Sequence, residues 1–459
     1  MDALILAAGD GTRLHPATRD TPKVMLKIWG VPILERSLYN LRAAGVRRIV
    51  IAVGYKAAVI RRHFGNSWDG MTIEYVRSNW VGDGIMKSAV AAESRMNGRF
   101  ILLSGDSIPS EELLKKAIKA RGDIVVTVRN SDEDGIVAKV AGQNIVTQIG
   151  MREEIGDPDF TVAGVSVCTP DFFKAARACL SRNKAHRSDP IQWMIEQKYQ
   201  ITSVNISKNT LIEIDTFDDL KKAREIIFRE AWNKRLKARD INIFKRIFNL
   251  PVSLRLTRLF AHTGLDPIVF TLASLASAIG GGILFGSGAF ALGGIFCYIA
   301  TIIDAIDGKL SRLQLKTTLF GGYIDSVSDR LSEFSIVLGL TYGTYSATQN
   351  PRIIILGFVI WLGWIGRFYI KELFMDYLYM DKKKFSYWRR FQTPWWNFLG
   401  DRDFNSFALF MFCLAGWPVY AMVFMAATVH LFLFRRSWQI YTRFKDNGLL
   451  GKRSKKSSI

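Results

Sequence analysis

The chain has 459 residues, enough for two or three domains. Hydrophobic residues make up 49% and charged residues 22%, which excludes a disordered or low-complexity chain, and four Cys without a CxxC pair exclude a zinc ribbon and argue against a disulfide framework. The formal net charge of +21 is uneven: residues 1–221 carry 30 Lys+Arg against 26 Asp+Glu, and residues 222–459 carry 32 against 15. That split excludes uniform polynucleotide binding, so no nucleic-acid partner is expected. A basic half that also holds long apolar runs reads as a membrane protein with positive loops.

The chain opens with an apolar run, Ala3–Leu6, too short for a signal peptide and followed at once by a Gly-rich turn. The runs Ala3–Ala8, Arg48–Val53, Arg99–Ser104, Asp123–Val128 and Thr161–Val167 predict strands. Ile33–Ala44 and Glu111–Ala120 predict helices between them. Strands alternating with helices predict a mostly parallel sheet in an α/β domain, with ligands at the carboxyl ends of the strands.

The first predicted strand runs into Leu6-Ala7-Ala8-Gly9-x-Gly11-Thr12-Arg13-x8-Pro22-Lys23. Glycines after a first strand let backbone N–H groups approach phosphates, and Arg13 and Lys23 add fixed positive charge around a triphosphate. A Gly-rich turn alone is no more than a turn; the whole string is far more specific, and it is not a Walker A loop. It resembles the signature of sugar-phosphate nucleotidylyltransferases, over about residues 1–225. The resemblance implies nucleotide contacts from Leu6, Ala8, Gly9, Gly11 and Thr12, and catalysis by Arg13 and Lys23. It implies metal ligation by Asp106, after Ile101–Gly105, and by Asp215 in Glu213-Ile214-Asp215-Thr216. Two carboxylates at strand ends suit Mg²⁺ (or Mn²⁺) between phosphates. Asp215 has a second reading, as the N-cap of a helix starting at Thr216. Asn79 to Ser88 occupies the stretch where relatives read the base, with Ser88 a nucleotide contact. It departs from the Gly-Thr-Ala form of uridylyl and thymidylyl enzymes and looks more like the cytidylyl branch.

Residues 221–245 are highly charged and predict a solvated connecting helix; Ile243–Leu259 suits an amphipathic helix in the membrane interface. Residues 268–288 then contain no charge across 21 positions, enough to span a hydrocarbon core of roughly 30 Å. Similar runs follow at about 290–312, 321–343, 353–374, 402–416 and 418–434. Loops after the first, third and fifth runs are nearly free of positive charge. Those after the second and fourth hold Lys316, Lys382–Lys384, Arg389 and Arg390, and the tail holds Arg435, Arg436 and Lys452 to Lys456. Positive loops stay inside, so the sequence predicts six spans with both termini cytoplasmic, in the cell membrane.

At the inner ends of the second and third runs stands Asp304-x2-Asp307-Gly308-x2-Ser311-Arg312-x8-Gly321-x3-Asp325-x3-Asp329. On helices these spacings put Asp304 with Asp307, and Asp325 with Asp329, on one face. Carboxylates in membrane segments are costly, and four that converge repel unless cations sit between them; two divalent metals satisfy that and suit phosphoryl transfer. The string resembles the CDP-alcohol phosphotransferase signature, with Ser311 in place of Ala. The resemblance implies an all-α domain of six transmembrane helices, metals on the four Asp, Asp329 as base for the acceptor hydroxyl, and Gly308, Arg312 and Gly321 along the CDP moiety. Arg367, Lys371 and Arg402 are candidates for an acceptor phosphate or for snorkelling anchors.

The predicted organisation is a cytidylyltransferase domain at 1–225, a linker with an interfacial helix at 226–264, a membrane domain at 265–436 and a basic tail at 437–459. Joined in one chain, the first site makes the donor that the second consumes. The fusion resembles the bifunctional family that combines inositol-1-phosphate cytidylyltransferase with di-myo-inositol phosphate phosphate synthesis in hyperthermophiles. That resemblance implies CTP, inositol 1-phosphate and CDP-inositol as small-molecule partners, a bilayer as environment and a compatible solute as product; nine Gln agree with a hot habitat. A homodimer through the membrane domain is compatible with it. Two other readings stand beside this one. Another phosphoalcohol (choline, glycerol, ribitol) with a lipid acceptor keeps both chemistries. A degenerate first domain that only binds nucleotide keeps one.

Overall fold

The structure is a computed structural model and describes residues 1–78, 85–130, 135–207, 210–233, 245–379 and 402–446. It divides into two compact units, Met1–Phe228 and Arg229–Ile459.

The strands of the first unit are β1 (Asp2–Ala7), β2 (Lys27–Ile28), β3 (Val31–Pro32), β4 (Arg48–Val53), β5 (Ser67–Trp68), β6 (Met71–Arg77), β7 (Phe100–Ser104), β8 (Ser107–Pro109), β9 (Ile124–Arg129), β10 (Ile136–Ala141), β11 (Ile145–Met151), β12 (Phe160–Cys168), β13 (Ile201–Asn205) and β14 (Leu211–Glu213). Its helices are α1 (Ile33–Ala43), α2 (Ala57–Phe64), α3 (Ile85–Val90), α4 (Glu111–Lys119), α5 (Arg152–Ile155), α6 (Asp171–Leu180), α7 (Ser188–Glu196) and α8 (Phe217–Asn233), the last ending in the second unit. Ten strands form one sheet in the order β10-β11-β13-β9-β12-β7-β1-β4-β6-β5.

Both faces of this sheet are covered. Ala3, Ile5 and Ala7 of β1 belong to one apolar cluster, and Leu4 and Leu6 to the other. This is why β1 and β4 are near-continuous apolar runs rather than alternating ones. The expected parallel arrangement holds for β7-β1-β4-β6. Beyond it the sheet is mixed, which corrects the expectation of a mostly parallel sheet. Strand β12 runs antiparallel to both β7 and β9. The hairpin β10–β11 adds further antiparallel pairing. The β10–β11 hairpin needs only a short turn, without the crossover helix that a parallel neighbour demands.

The second unit is helical. A short π-helical turn, Lys245–Asn249, leads into α9 (Leu250–Phe260). Among the described residues six longer helices follow: α10 (Pro267–Gly286), α11 (Phe290–Leu313), α12 (Leu319–Thr348), α13 (Arg352–Tyr379), α14 (Arg402–Leu414) and α15 (Pro418–Asp446). They occupy the six apolar runs of the sequence. Four of them, α10, α11, α13 and α15, contain stretches long and apolar enough to cross a membrane. Helix α12 is 30 residues long but carries Asp325, Asp329, Arg330 and Glu333 in its first half, and α14 has 13 residues. Small residues bring α10 and α12 together: a Cβ on Gly339 would collide with the carbonyl oxygen of Gly282. Such close backbone approach is how helices associate where lipid is as apolar as their side chains. The loop containing Lys382–Lys384, Arg389 and Arg390, and the tail with Lys452 to Lys456, lie outside the described residues.

Candidate active sites

The first site forms where β1 ends. The loop Ala8–Pro22 returns so that Thr18 Oγ1 donates to the Gly11 carbonyl at 2.8 Å. Gly11 has φ +69°, and a Cβ there would stand 2.8 Å from Lys23 Cβ. Only glycine meets both conditions without strain. Lys23 begins a 3₁₀ turn, Lys23–Met25, whose Val24 and Met25 are buried. Its Nζ lies 2.6 Å from Asp106 Oδ2 and 2.7 Å from Asp215 Oδ1.

The two carboxylates are brought together by a small antiparallel ladder, β8 with β14, which pairs Ser107 with Glu213 and Pro109 with Leu211. Asp106 precedes one strand and Asp215 follows the other. Asp215 is not the helix cap. Thr216 Oγ1 accepts from the Asp219 N–H at 3.2 Å, and Asp219 Oδ2 accepts from the Thr216 N–H at 2.9 Å. This reciprocal cap leaves the Asp215 carboxylate for Lys23. Burial alone would depress the Lys23 pKa; the Asp106 and Asp215 carboxylates outweigh it and raise it above the usual lysine value. One cationic nitrogen touches both acids, so they converge on a single cation-sized point. The donor set is all hard oxygen and fits a divalent cation such as Mg²⁺.

A cleft of about 910 Å³ borders this region, with Arg13, Lys87, His186, Arg187 and Glu213 on its walls. It has the size of a small-molecule site. Leu6 and Ala8 are buried beneath the loop, whereas Thr12 and Arg13 are exposed. Ser88 is buried on α3, with its Oγ 2.8 Å from Ser78 Oγ. Residues Asn79–Gly84, most of the expected base-reading stretch, lie outside the described residues.

Two cleft residues escaped the sequence reading. Arg187 is a buried part of the wall, donating to Ser104 Oγ at 3.0 Å, to the Leu102 carbonyl at 3.2 Å and to Ser166 Oγ at 3.3 Å. Burial lowers its pKa. Glu213 accepts from the Gly164 N–H at 2.9 Å and pairs with Arg129 at 3.1 Å. Burial pushes its carboxyl up, against the pull of Arg129. The alternation in Leu211-Ile212-Glu213-Ile214-Asp215 was the available signal, since it places both acids on one side of an extended segment.

In the second unit the aspartates gather across α11 and α12. Carboxylate oxygens of Asp304, Asp307 and Asp325 lie within 4.8 Å of one another. Asp329 stands beside them, in ion-pair contact with Arg402, whose guanidinium also lies 3.4 Å from Asp304. Arg402, the first residue of α14, thus lies against the acids themselves. Arg367 lies over the ring of Phe432 at 5.2 Å. The side chain of Lys371 lies outside the described residues. Gly308 follows Asp307 directly, and a Cβ on it would stand 3.4 Å from the Arg312 guanidinium. The Gly321 N–H donates to Thr318 Oγ1 at 2.9 Å, inside the cap of α12.

A residue not foreseen, Thr271 of α10, donates its buried hydroxyl to Asp307 Oδ2 at 2.6 Å. Asp307 Oδ1 accepts from the Gly308 N–H. Thr271, Ser274 and Ser277 recur every third residue on the face of α10 that meets α11, and Ser274 and Ser277 donate to the carbonyls of Ala300 and Phe296 at 2.9 Å each. That spacing was legible as a polar stripe, though not its carboxylate partner. The acidic cluster contains no thiol or imidazole, and this hard-oxygen set fits Mg²⁺ or Mn²⁺ better than a soft metal.

A mixed α/β domain with a glycine-rich loop and paired acids, followed by a membrane-associated helical domain with clustered aspartates, defines a two-part transferase. Residues 2–146 match the nucleotidyl transferase family model, and residues 265–375 match the CDP-alcohol phosphatidyltransferase family model. The chain therefore joins a nucleotidyltransferase domain to a CDP-alcohol phosphotransferase domain, and it is an enzyme. Over nearly its whole length it is similar to the bifunctional IPC transferase and DIPP synthase of Aquifex aeolicus, with 26% identity across 97% of this chain and 99% of that relative. The protein of the same name from Thermococcus kodakarensis is 27% identical across 74% of this chain and 76% of its own length. Among solved structures, the inositol-1-phosphate CTP transferase from T. maritima superposes on 49% of this chain and 94% of its own, with 21% identity and a TM-score of 0.43.

Proposed function

We propose that the chain makes CDP-inositol from CTP and inositol 1-phosphate in its first domain, and in its second transfers phospho-inositol to another inositol 1-phosphate with release of CMP. One observation carries this reading: two sites of different chemistry, Lys23–Asp106–Asp215 and the aspartates of α11 and α12, lie in one chain that aligns end to end with a bifunctional IPC transferase and DIPP synthase.

In the first step a phosphate oxygen of inositol 1-phosphate attacks the α-phosphorus of CTP in line, and pyrophosphate leaves. Gly9, Gly11 and Thr12 offer backbone N–H groups to the phosphates. Arg13 and Lys23 supply charge at the positions where it develops. Lys23 starts from its contact with Asp106 and Asp215, so phosphate binding exchanges one anionic partner for another. In the second step a hydroxyl of inositol 1-phosphate attacks the inositol-bearing phosphorus of CDP-inositol, CMP leaves, and the hydroxyl proton passes to Asp329. The product is a phosphorylated di-inositol phosphodiester. Gly308, Arg312 and Gly321 lie along the CDP moiety, and Arg367, Lys371 and Arg402 are the basic groups available to an acceptor phosphate. Mg²⁺ or Mn²⁺, on Asp106 and Asp215 in one domain and on Asp304, Asp307, Asp325 and Asp329 in the other, supplies Lewis-acid charge to the phosphates when bound.

The same reading assigns 1–225 to the cytidylyltransferase, 226–264 to the linker and interfacial helix, 265–436 to the membrane transferase and 437–459 to a basic cytoplasmic tail. It takes α10 to α15 as six spans with both termini inside, and allows a homodimer through the membrane domain. The test is incubation of the purified protein with CTP and inositol 1-phosphate, followed by ³¹P NMR. Pyrophosphate, a CDP-inositol diphosphate signal and then a phosphodiester are expected. Consumption of CTP only with another phosphoalcohol would overturn the assignment.

A further inference from the structure

Glu213 is the single acidic side chain among the described residues on the wall of the first domain's cleft. It is held there by several independent contacts. Oε1 accepts from the Gly164 N–H at 2.9 Å, and Oε2 pairs with Arg129 at 3.1 Å. Residue 164 must be glycine for this: a Cβ there would stand 2.7 Å from Glu213 Oε1 and 2.6 Å from Ser107 Oγ. The ladder of β8 with β14 fixes the backbone, with Glu213 opposite Ser107 and two residues before Asp215. Yet the side chain keeps 27% of its surface exposed. An ionised carboxylate has about four acceptor positions, and the Gly164 and Arg129 contacts account for two.

The wall around this carboxylate is part basic and part aliphatic: Arg13, Lys87, His186 and Arg187 share it with Ile136, Ile149, Met151 and Val162, and no Phe, Tyr or Trp lines it among the described residues. A quaternary ammonium such as choline is recognised by aromatic faces as well as by charge. A carboxylate with acceptor positions left over and no such ring on its wall instead suits hydroxyl donors, and two vicinal hydroxyls can meet its two oxygens. We infer that Glu213 is a specificity-determining residue that accepts hydrogen bonds from the hydroxyls of the phosphorylated alcohol, and that this alcohol is a polyol rather than choline. The inference rests on the proposed cytidylyltransferase activity and narrows its substrate class. A site built around a half-buried acceptor also discriminates against analogues that lack the matching hydroxyl, because the acceptor is then left unpaired.

The test uses the full-length protein and its Glu213→Gln variant, with CTP and either inositol 1-phosphate or phosphocholine. Loss of a charge-assisted contact should raise the KM for inositol 1-phosphate about 10- to 100-fold and leave the KM for CTP within about twofold. Phosphocholine should remain a poor substrate of both proteins. A second variant, Arg129→Gln with Glu213→Gln, removes the ion pair as a whole. If Glu213 serves only to neutralise Arg129, the double variant restores the KM for inositol 1-phosphate; if Glu213 binds the alcohol, the KM stays raised. An unchanged KM in Glu213→Gln, or its restoration in the double variant, overturns the inference. No CDP-inositol from the unaltered protein would instead refute the proposed activity on which the inference stands.

Discussion

Replacing Thr271 by Val keeps the side chain's shape and removes one hydroxyl. That hydroxyl is buried and donates to Asp307 Oδ2 at 2.6 Å, while Asp307 Oδ1 accepts from the Gly308 N–H. The substitution leaves one oxygen of a clustered acid without its donor and opens no cavity. A hydrogen bond to a charged acceptor contributes about 1.5–3 kcal/mol, which is roughly 10- to 100-fold in an equilibrium constant. Loss of a group that orients a metal ligand falls in the same range, about 10- to 100-fold in metal affinity. The Mg²⁺ concentration that half-saturates CMP release from CDP-inositol and inositol 1-phosphate should therefore rise about 10- to 100-fold. At saturating Mg²⁺ the turnover should return to within a few-fold of the unaltered enzyme. Thr271→Ser keeps a donor and should titrate close to the parent. The stabilisation of the detergent-solubilised protein by Mg²⁺, read as a Tm shift, should move to higher metal concentration in parallel. The CTP-dependent reaction is the internal control. A Val variant that titrates like the parent, or that stays inactive at every metal concentration while folded, would refute the idea that Thr271 acts by orienting Asp307.

Gly11→Ala places a Cβ against Lys23 at φ +69°, at a conformational cost of about 1–2 kcal/mol. It should slow CDP-inositol formation sharply while transfer from supplied CDP-inositol proceeds at the parental rate; steady-state assays of the two half-reactions check this. For the membrane domain, single cysteines near Ser287 and Ser346 should react with an impermeant reagent in intact cells, and cysteines at Ser386 or Ser457 should not. Labelling of Ser457 from outside would contradict six spans with both termini inside.

The sequence reading reached furthest where local pattern and burial coincide. The runs at β1, β4, β7, β9 and β12 are mostly apolar because the sheet is covered on both faces, and they were visible on that ground. Helices α10 to α15 begin and end within a few residues of most of the apolar runs, since charge and Pro or Gly mark their limits. Strands β10, β11 and β13 were missed: Ile136–Ala141 and Ile145–Met151 lie toward one end of the sheet and mix small, polar and charged residues with the apolar ones. The convergence of Lys23 with Asp106 and Asp215 was implied by the motif, but the means were hidden, because three-residue strands such as β8 and β14 carry no periodicity. Thr271 and Glu213 stood in legible patterns, a polar stripe and an alternation, but their partners were hidden for a related reason. Each matters through one contact across the fold, to Asp307 and to Gly164, and neither contact leaves a trace in neighbouring residues.

The central claim is that one chain carries two separate sites acting in series. The most direct measurement compares Lys23→Ala and Asp329→Asn in the full-length protein, assaying CDP-inositol formation from CTP and CMP release from supplied CDP-inositol. The account predicts that Lys23→Ala abolishes the first reaction and spares the second, and that Asp329→Asn does the reverse. Loss of both activities from either folded variant would contradict it.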